Sequence, residues 1–194
     1  MDHAVALRRD GVVLRPLAVT DAACFRGLVD AGSWAGMSVP LPADDESMAA
    51  ELQDLIGHPT VLAFAVELDG RLVGRTALYD VVPGLRVEVG NTIYARDVWG
   101  TRVNPAAKLL LFGHAFGRLD VGRVALRCDH RNLRSRQAIA RLGGRFEGTL
   151  RRFRPAADGS VADVDYFSVL RDEWPGVRAG LEARLAAGDR TQGD

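Results

Sequence analysis

The stretch DVWGTRVNPAAKLLLFGHAF, residues 97–116, decides how this chain is read. It follows an alternating run over residues 86–95. There Val87, Val89 and Ile93 are expected on one face of a strand, and Glu88, Thr92 and Tyr94 on the other. A turn occupies residues 96–103, and Asn104-Pro105 then joins a favoured N-cap to a favoured first helical residue. The helix predicted from Pro105 to about Leu119 carries Leu109, Leu110, Leu111, Phe112, Ala115 and Phe116. It is apolar on most sides and therefore buried. A strand feeding a glycine turn and a helix N-terminus leaves backbone N–H groups free at the positive end of a helix dipole, which is a cradle for phosphate. The stretch holds neither a full GxGxxG nor a Walker lysine motif, and its local pattern also fits an ordinary strand-to-helix turn.

The pattern extends in both directions. Downstream, residues 124–128 read as a strand and residues 132–142 as a helix ended by Gly143-Gly144. Residues 145–154 and 161–170 read as two strands around Asp158-Gly159, and about 172–187 as a last helix. Upstream, residues 12–17 form a strand, and Thr20 caps a helix running to about Ala31. A loop spans 32–42, and a helix with acids in its first turn spans 44 or 45 to 56. Strands 61–68 and 71–80 are joined by the hairpin signal Asp69-Gly70. Hairpins combined with strand–helix–strand crossovers predict a mixed α/β fold. Its central twisted sheet has about seven strands, part antiparallel and part parallel, with flanking helices. No repeat or long linker divides the chain. Residues 1–194 are read as one domain, with the core over about 12–175 and the C-terminal helix over about 172–187.

Composition narrows the function. With 194 residues, 47% hydrophobic and 26% charged, the chain has the make-up of a globular protein. Lys+Arg and Asp+Glu are both 25, which argues against a surface built throughout to grip nucleic acid or an acidic membrane. Lys108 is the sole lysine, so the other basic residues are arginines. The balance conceals a cluster: between Arg123 and Arg154 ten arginines stand against two acids, Asp129 and Glu147. No apolar run is long enough for a membrane helix, and the first ten residues lack a signal-peptide core. Cys24 and Cys128 form neither a disulfide framework nor a metal-ligand spacing, so a cytoplasmic location without a metal is expected.

Two segments together carry a resemblance. They are Trp99-Gly100-Thr101 with Asn104 and the helix from Lys108, and Asp129 with Asn132, Ser135, Ala138-Ile139, Leu142-Gly143 and Glu147-Gly148. In order and spacing these resemble the GNAT acyltransferase superfamily, on the branch of ribosomal-protein N-terminal acetyltransferases, over about residues 12–175. The resemblance implies an N-acyltransferase that moves an acetyl group from acetyl-CoA, or another acyl group from its CoA thioester, to a primary amine. The acceptor is a protein N-terminus or a small amine. It implies pyrophosphate binding by the loop Trp99, Gly100, Thr101, Arg102, Val103 and Asn104. At the family's loop positions Gly100 fits, whereas Asp97 and Arg102 depart from the pattern. Asn132 and Ser135 are implied beside the pantetheine arm. The tyrosine that many members use as acid is replaced by Ile139, leaving Ser135 and then Tyr166 as substitutes. Glu88 is the best candidate for the base, set against a plain ion-pair carboxylate.

Other readings stay open at this stage. His114 and Cys128 read as helix-face and core residues. Trp34 and Met37 line the acceptor pocket or else belong to the core. The clustered arginines hold the phosphates of coenzyme A, and the acids Asp44, Asp45 and Glu46 favour a cationic acceptor. Homodimers are common in the resembled branch. A catalytically silent acyl-CoA-binding module is the alternative function, and a nucleic-acid-binding module using residues 123–154 is a third.

Overall fold

The computed structural model describes residues 3–190. The expected mixed α/β class holds, with eight strands rather than seven in one sheet, ordered β1-β2-β3-β4-β5-β6-β8-β7. The additional strand is β1 (Leu7–Arg9). It pairs with β2 (Val12–Pro16) through Asp10 and Gly11, both in the left-handed region at φ 49° and 76°. An Asp-Gly pair suits that turn because glycine carries no Cβ and aspartate tolerates positive φ.

Next come α1 (Ala22–Leu28), α2 (Ala31–Trp34) and α3 (Asp45–Gly57). Thr20 lies within a 3-10 turn instead of capping α1; the carboxylate of Asp21 there accepts from Ala18 N. The helix ends at Leu28, earlier than expected, and Asp30 with Ser33 then forms a capping box that opens α2 inside the expected loop.

Strands β3 (Leu62–Leu68), β4 (Arg71–Val82) and β5 (Arg86–Tyr94) form an antiparallel meander. The sheet continues through α4 (Val103–Gly117) to β6 (Arg123–Asp129), which pairs parallel to β5. That is the sheet's one parallel pairing among the described residues, because a parallel neighbour needs a crossover and α4 supplies it. After α5 (Leu133–Arg141), β7 (Arg145–Pro155) takes the outer edge and β8 (Val161–Leu170) returns between β7 and β6. The closing helix is α6 (Trp174–Arg190).

Each face of the sheet buries its own core. On one face, Val103, Leu111, Phe112 and Phe116 of α4 pack with Leu181 and Leu185 of α6 over Leu14, Phe64, Leu78, Val87 and Val89. On the other, Phe25, Trp34, Met48 and Leu52 from α1 to α3 cover Ala63, Ala65, Ala77 and Ile93. The expected alternation of β5 is thus broken. Val87 and Val89 join the α4 core, while Ile93 joins the opposite one. The cause is a bulge: Ala77 pairs with Gly90 and Arg75 with Ile93, so Asn91 and Thr92 stand opposite the single residue Thr76. Asn91 has φ 52°, and its Oδ1 accepts from the buried Arg75 Nη2 at 3.1 Å.

Candidate active site

The cleft arises where β5 and β6 part. Their register runs only from Arg86↔Arg123 to Val89↔Leu126, yet β5 continues to Tyr94 and β6 to Asp129. Past the bulge the two strands diverge and open a cleft of about 630 Å³. Val89, Lys108, Leu126, Asn132, Ser135, Ile139 and Leu142 line it from the α4 and α5 side. Met37, Asp54, Leu55, Tyr79, Asp80, Arg127 and Arg154 line it toward α1 to α3.

The N-terminal end of α4 lies at this cleft. The helix begins at Val103, so Asn104 is the second helical residue and not the cap; its N-cap, Arg102, makes no side-chain capping bond. Thr101 Oγ1 donates to Val98 O at 2.8 Å and accepts from Val103 N at 3.3 Å, which fixes the turn. Gly100 has φ 80° with open space around an added Cβ, so the glycine answers a backbone requirement and not a steric one. The amides of Gly100, Arg102 and Asn104 donate to no described residue. Free N–H groups at the positive end of a buried helix suit a diphosphate. Trp99, held by its indole N–H on Tyr94 O at 2.9 Å, stacks beneath the guanidinium of Arg134 at 3.6 Å. Arg134 has no ion-pair partner among the described residues, and burial lowers its pKa from the ordinary value. The Tyr94 hydroxyl is buried without a hydrogen-bond partner, and burial raises its pKa. A free cradle, an uncompensated arginine and an unpartnered hydroxyl around one cleft fit a long anionic ligand that also carries polar groups along its length.

The expected site residues divide on this geometry. Met37, Trp99, Gly100, Thr101, Asn104, Asn132 and Ser135 all line the cleft. Asn132 Oδ1 accepts from Ser135 N at 3.0 Å, so the two are fixed together at the start of α5. Arg102 turns its side chain away to Asp69 at 3.2 Å, and Val103 is fully buried, which leaves only backbone for either to offer. Trp34 is 1% exposed; it donates to Val39 O and belongs to the second core, behind the wall rather than in it.

Glu88 is not the outward polar residue that alternation implies. It is buried, accepts from Tyr79 Oη at 2.5 Å and pairs with Arg127 Nε at 2.8 Å. Burial raises its pKa, opposed by those two partners. It stands one layer behind the cleft, with Tyr79 and Arg127 in the wall before it. Tyr166 lies in the same layer, its hydroxyl accepting from Arg127 Nη1 at 2.9 Å. Asp44 caps α3 by accepting from Ser47 N, and neither it nor Asp45 or Glu46 reaches the cleft. The acids in the wall are Asp54, Asp80 and Asp129. Cys128 edges the cleft, but burial pushes its thiol up to about 11, as befits a core residue.

The arginine cluster is likewise not a single basic face. Arg123, Arg127, Arg131, Arg136 and Arg145 pair with Glu147, Glu88, Asp129, Asp165 and Glu173 respectively. Arg127 also lines the cleft, together with Arg134, Arg141 and Arg154. Tyr79, Tyr94, Asp54, Asp80 and Lys108 escaped sequence reasoning. Lys108 alone carried a signal, as the single lysine in an arginine-rich chain.

Comparison with known proteins identifies the family to which this parted strand pair and helix N-terminus belong. The family model Acetyltransferase (GNAT) domain matches residues 12–145, and the chain belongs to that family. A structure from T. thermophilus assigned as an acetyltransferase is 35% identical, with TM-score 0.89 over 95% of this chain and 99% of that one. Mycobacterium smegmatis RimJ, solved with CoA-disulfide, is 26% identical with TM-score 0.76, and 93% of each chain is covered. YdaF of Bacillus subtilis (strain 168), assigned as a ribosomal N-acetyltransferase, is 32% identical over 111 residues. That match spans 57% of this chain and 60% of YdaF. No helix among the described residues is long and apolar enough to cross a membrane.

Proposed function

We propose that the chain acts as one domain and is an acyl-CoA-dependent N-acyltransferase, in the simplest case an N-acetyltransferase acting on a primary amine. The observation that carries this reading is the cradle of free amides at Gly100, Arg102 and Asn104, set at the opening between β5 and β6. The diphosphate of acyl-CoA sits on those amides with Trp99, Thr101 and Arg134 around it, and Val103 fixes the helix start. The pantetheine arm runs inward past Asn132 and Ser135. Amides of β5 beyond Val89, freed where β6 departs, polarise the thioester carbonyl. The amine enters from the side of Met37, whose loop Trp34 backs. An N-terminal or small-amine acceptor is supported by the likeness to YdaF and RimJ. Self-association, which rests on the family resemblance, and a cytoplasmic location, which rests on the two unpaired cysteines, belong to the same proposal.

The attacking amine must be neutral. Glu88 is the base and works through Tyr79. A water takes the ammonium proton and passes it to Tyr79 Oη, which hands its own to Glu88. Tyr166 positions Arg127, which in turn holds the Glu88 carboxylate. The test pairs calorimetric CoA binding with thiol release from acetyl-CoA and succinyl-CoA against a panel of amines. CoA binds with micromolar affinity, and Glu88→Gln and Tyr79→Phe each lower kcat by about 10²–10⁴-fold, the range of general base catalysis. Absence of CoA binding would end the proposal, and full activity of Glu88→Gln at every pH would end the relay.

A further inference from the structure

Lys108 lies on α4 one turn inward from Asn104, so both side chains share the helix face turned to the cleft. It is 4% exposed. Its Nζ donates to Thr92 Oγ1 at 2.8 Å, and Thr92 Oγ1 meets Thr76 Oγ1 at 2.8 Å. No carboxylate among the described residues lies within ion-pair distance of it. Around this polar chain the wall is apolar: Val89, Leu126, Ile139 and Leu142.

A buried ammonium without a counter-charge is costly, and an anion arriving beside it would offset that cost. Desolvation alone brings Lys108 down to about 7, so it gives up a proton easily when the site is empty and regains affinity for it when an anion comes close. The other titratable groups facing the cleft on this side are Tyr94 of β5 and Cys128 of β6, both shifted upward by burial. Arg134 and Arg141 of α5 and Arg184 of α6 also line the cleft, and arginine does not release its proton. Ser135 is a hydroxyl with no charge to offer.

We propose that Lys108 is the acid that protonates the sulfur of coenzyme A as it leaves. The inference rests on the acyltransferase reading above. When the tetrahedral adduct collapses, its carbon–sulfur bond breaks and the electron pair stays on sulfur. One Nζ proton passes to that sulfur, giving the free thiol and a neutral Lys108 amine, while the adduct nitrogen gives its extra proton to water and becomes the amide. The amine recovers a proton from solvent once the thiol departs. The contact with Thr92 holds Nζ beside the bulge, where the strands open.

The deciding measurement is the thiol pKa of bound CoA. It is read from thiolate ultraviolet absorbance across a pH titration, with S-methyl-CoA on the same protein as the blank. In the wild type the bound thiol titrates about one pH unit or more below free CoA, a tenfold gain in thiolate. In Lys108→Met that depression disappears while CoA affinity holds within a few-fold, and kcat for acetyl transfer falls at least tenfold. Lys108→Arg retains part of the depression without recovering kcat, because the guanidinium keeps its charge but donates no proton. A wild-type bound thiol that titrates with free CoA overturns the inference and leaves the acyltransferase reading standing. Failure of the wild type to bind CoA at all overturns the reading itself.

Discussion

The buried pair of Arg75 and Glu51 gives the sharpest stability prediction. The Arg75 side chain is 0% exposed and that of Glu51 18% exposed. The guanidinium makes a bidentate contact, Nη1 to Glu51 Oε2 and Nη2 to Oε1, the latter at 2.7 Å. Its carbon stands 5.1 Å from the ring centres of both Phe25 and Trp34. Glu51→Leu strands a charge that has no route to water, and breaking a buried pair costs about 3–5 kcal/mol. The partial exposure of Glu51 puts the expected loss near the lower end, about 3 kcal/mol, or about 6–12 °C in Tm for a chain of this size. Arg75→Met loses less, about 1–2 kcal/mol, because Glu51 can rehydrate and the thioether regains contact with both rings. The double variant returns to within about 1 kcal/mol of wild type, since an apolar pair of similar volume replaces the ionic one. Urea unfolding followed by tryptophan fluorescence reads all four proteins, with Trp34 beside the substituted site. A coupling energy below about 1 kcal/mol, or an Arg75→Met variant weaker than Glu51→Leu, would refute the reasoning.

Two further predictions concern the loop and the response to acid. Gly100→Ala introduces a side chain at φ 80° without a clash, so it costs about 1–2 kcal/mol of backbone strain. Calorimetry should show CoA affinity reduced as the cradle shifts, and unchanged affinity would mean that the Gly100 turn does not set the amides. The Arg131 guanidinium holds the Asp129 carboxyl below its usual range. Asp129 thus contributes stability above the unfolded carboxylate value of about 3.9 and loses it as pH falls through the lower folded value. Tm of the wild type therefore drops more steeply below about pH 4 than that of Asp129→Asn, and parallel curves would contradict the assignment.

Much of the fold was legible because it rests on local rules. Asp69-Gly70 marked its hairpin, the apolar run from Leu109 to Phe116 marked a buried helix, and of the two expected crossovers the one through α4 gave a parallel pair while the one through α5 did not. Gly100 was legible as a turn and Asn132 with Ser135 as a helix start, whereas Asn104, expected to cap α4, is its second helical residue. The bulge at Asn91 was not, since it depends on how β4 and β5 pair across a hairpin; one extra residue reverses every side chain beyond it. That reversal sends Ile93 and Tyr94 to opposite faces from those expected.

The sequence by itself determined most of the order of elements, the strand, turn and helix that frame Gly100, and the family. Each depends on turns, caps and apolar periods that act over a few residues. Tertiary structure alone decided that Glu88 stands behind Tyr79 and Arg127, and that the clustered arginines divide between ion pairs and the cleft. It also decided that the one lysine faces the parting of β5 and β6. Burial and charge pairing are set by residues distant along the chain, and no local pattern records which of them will meet.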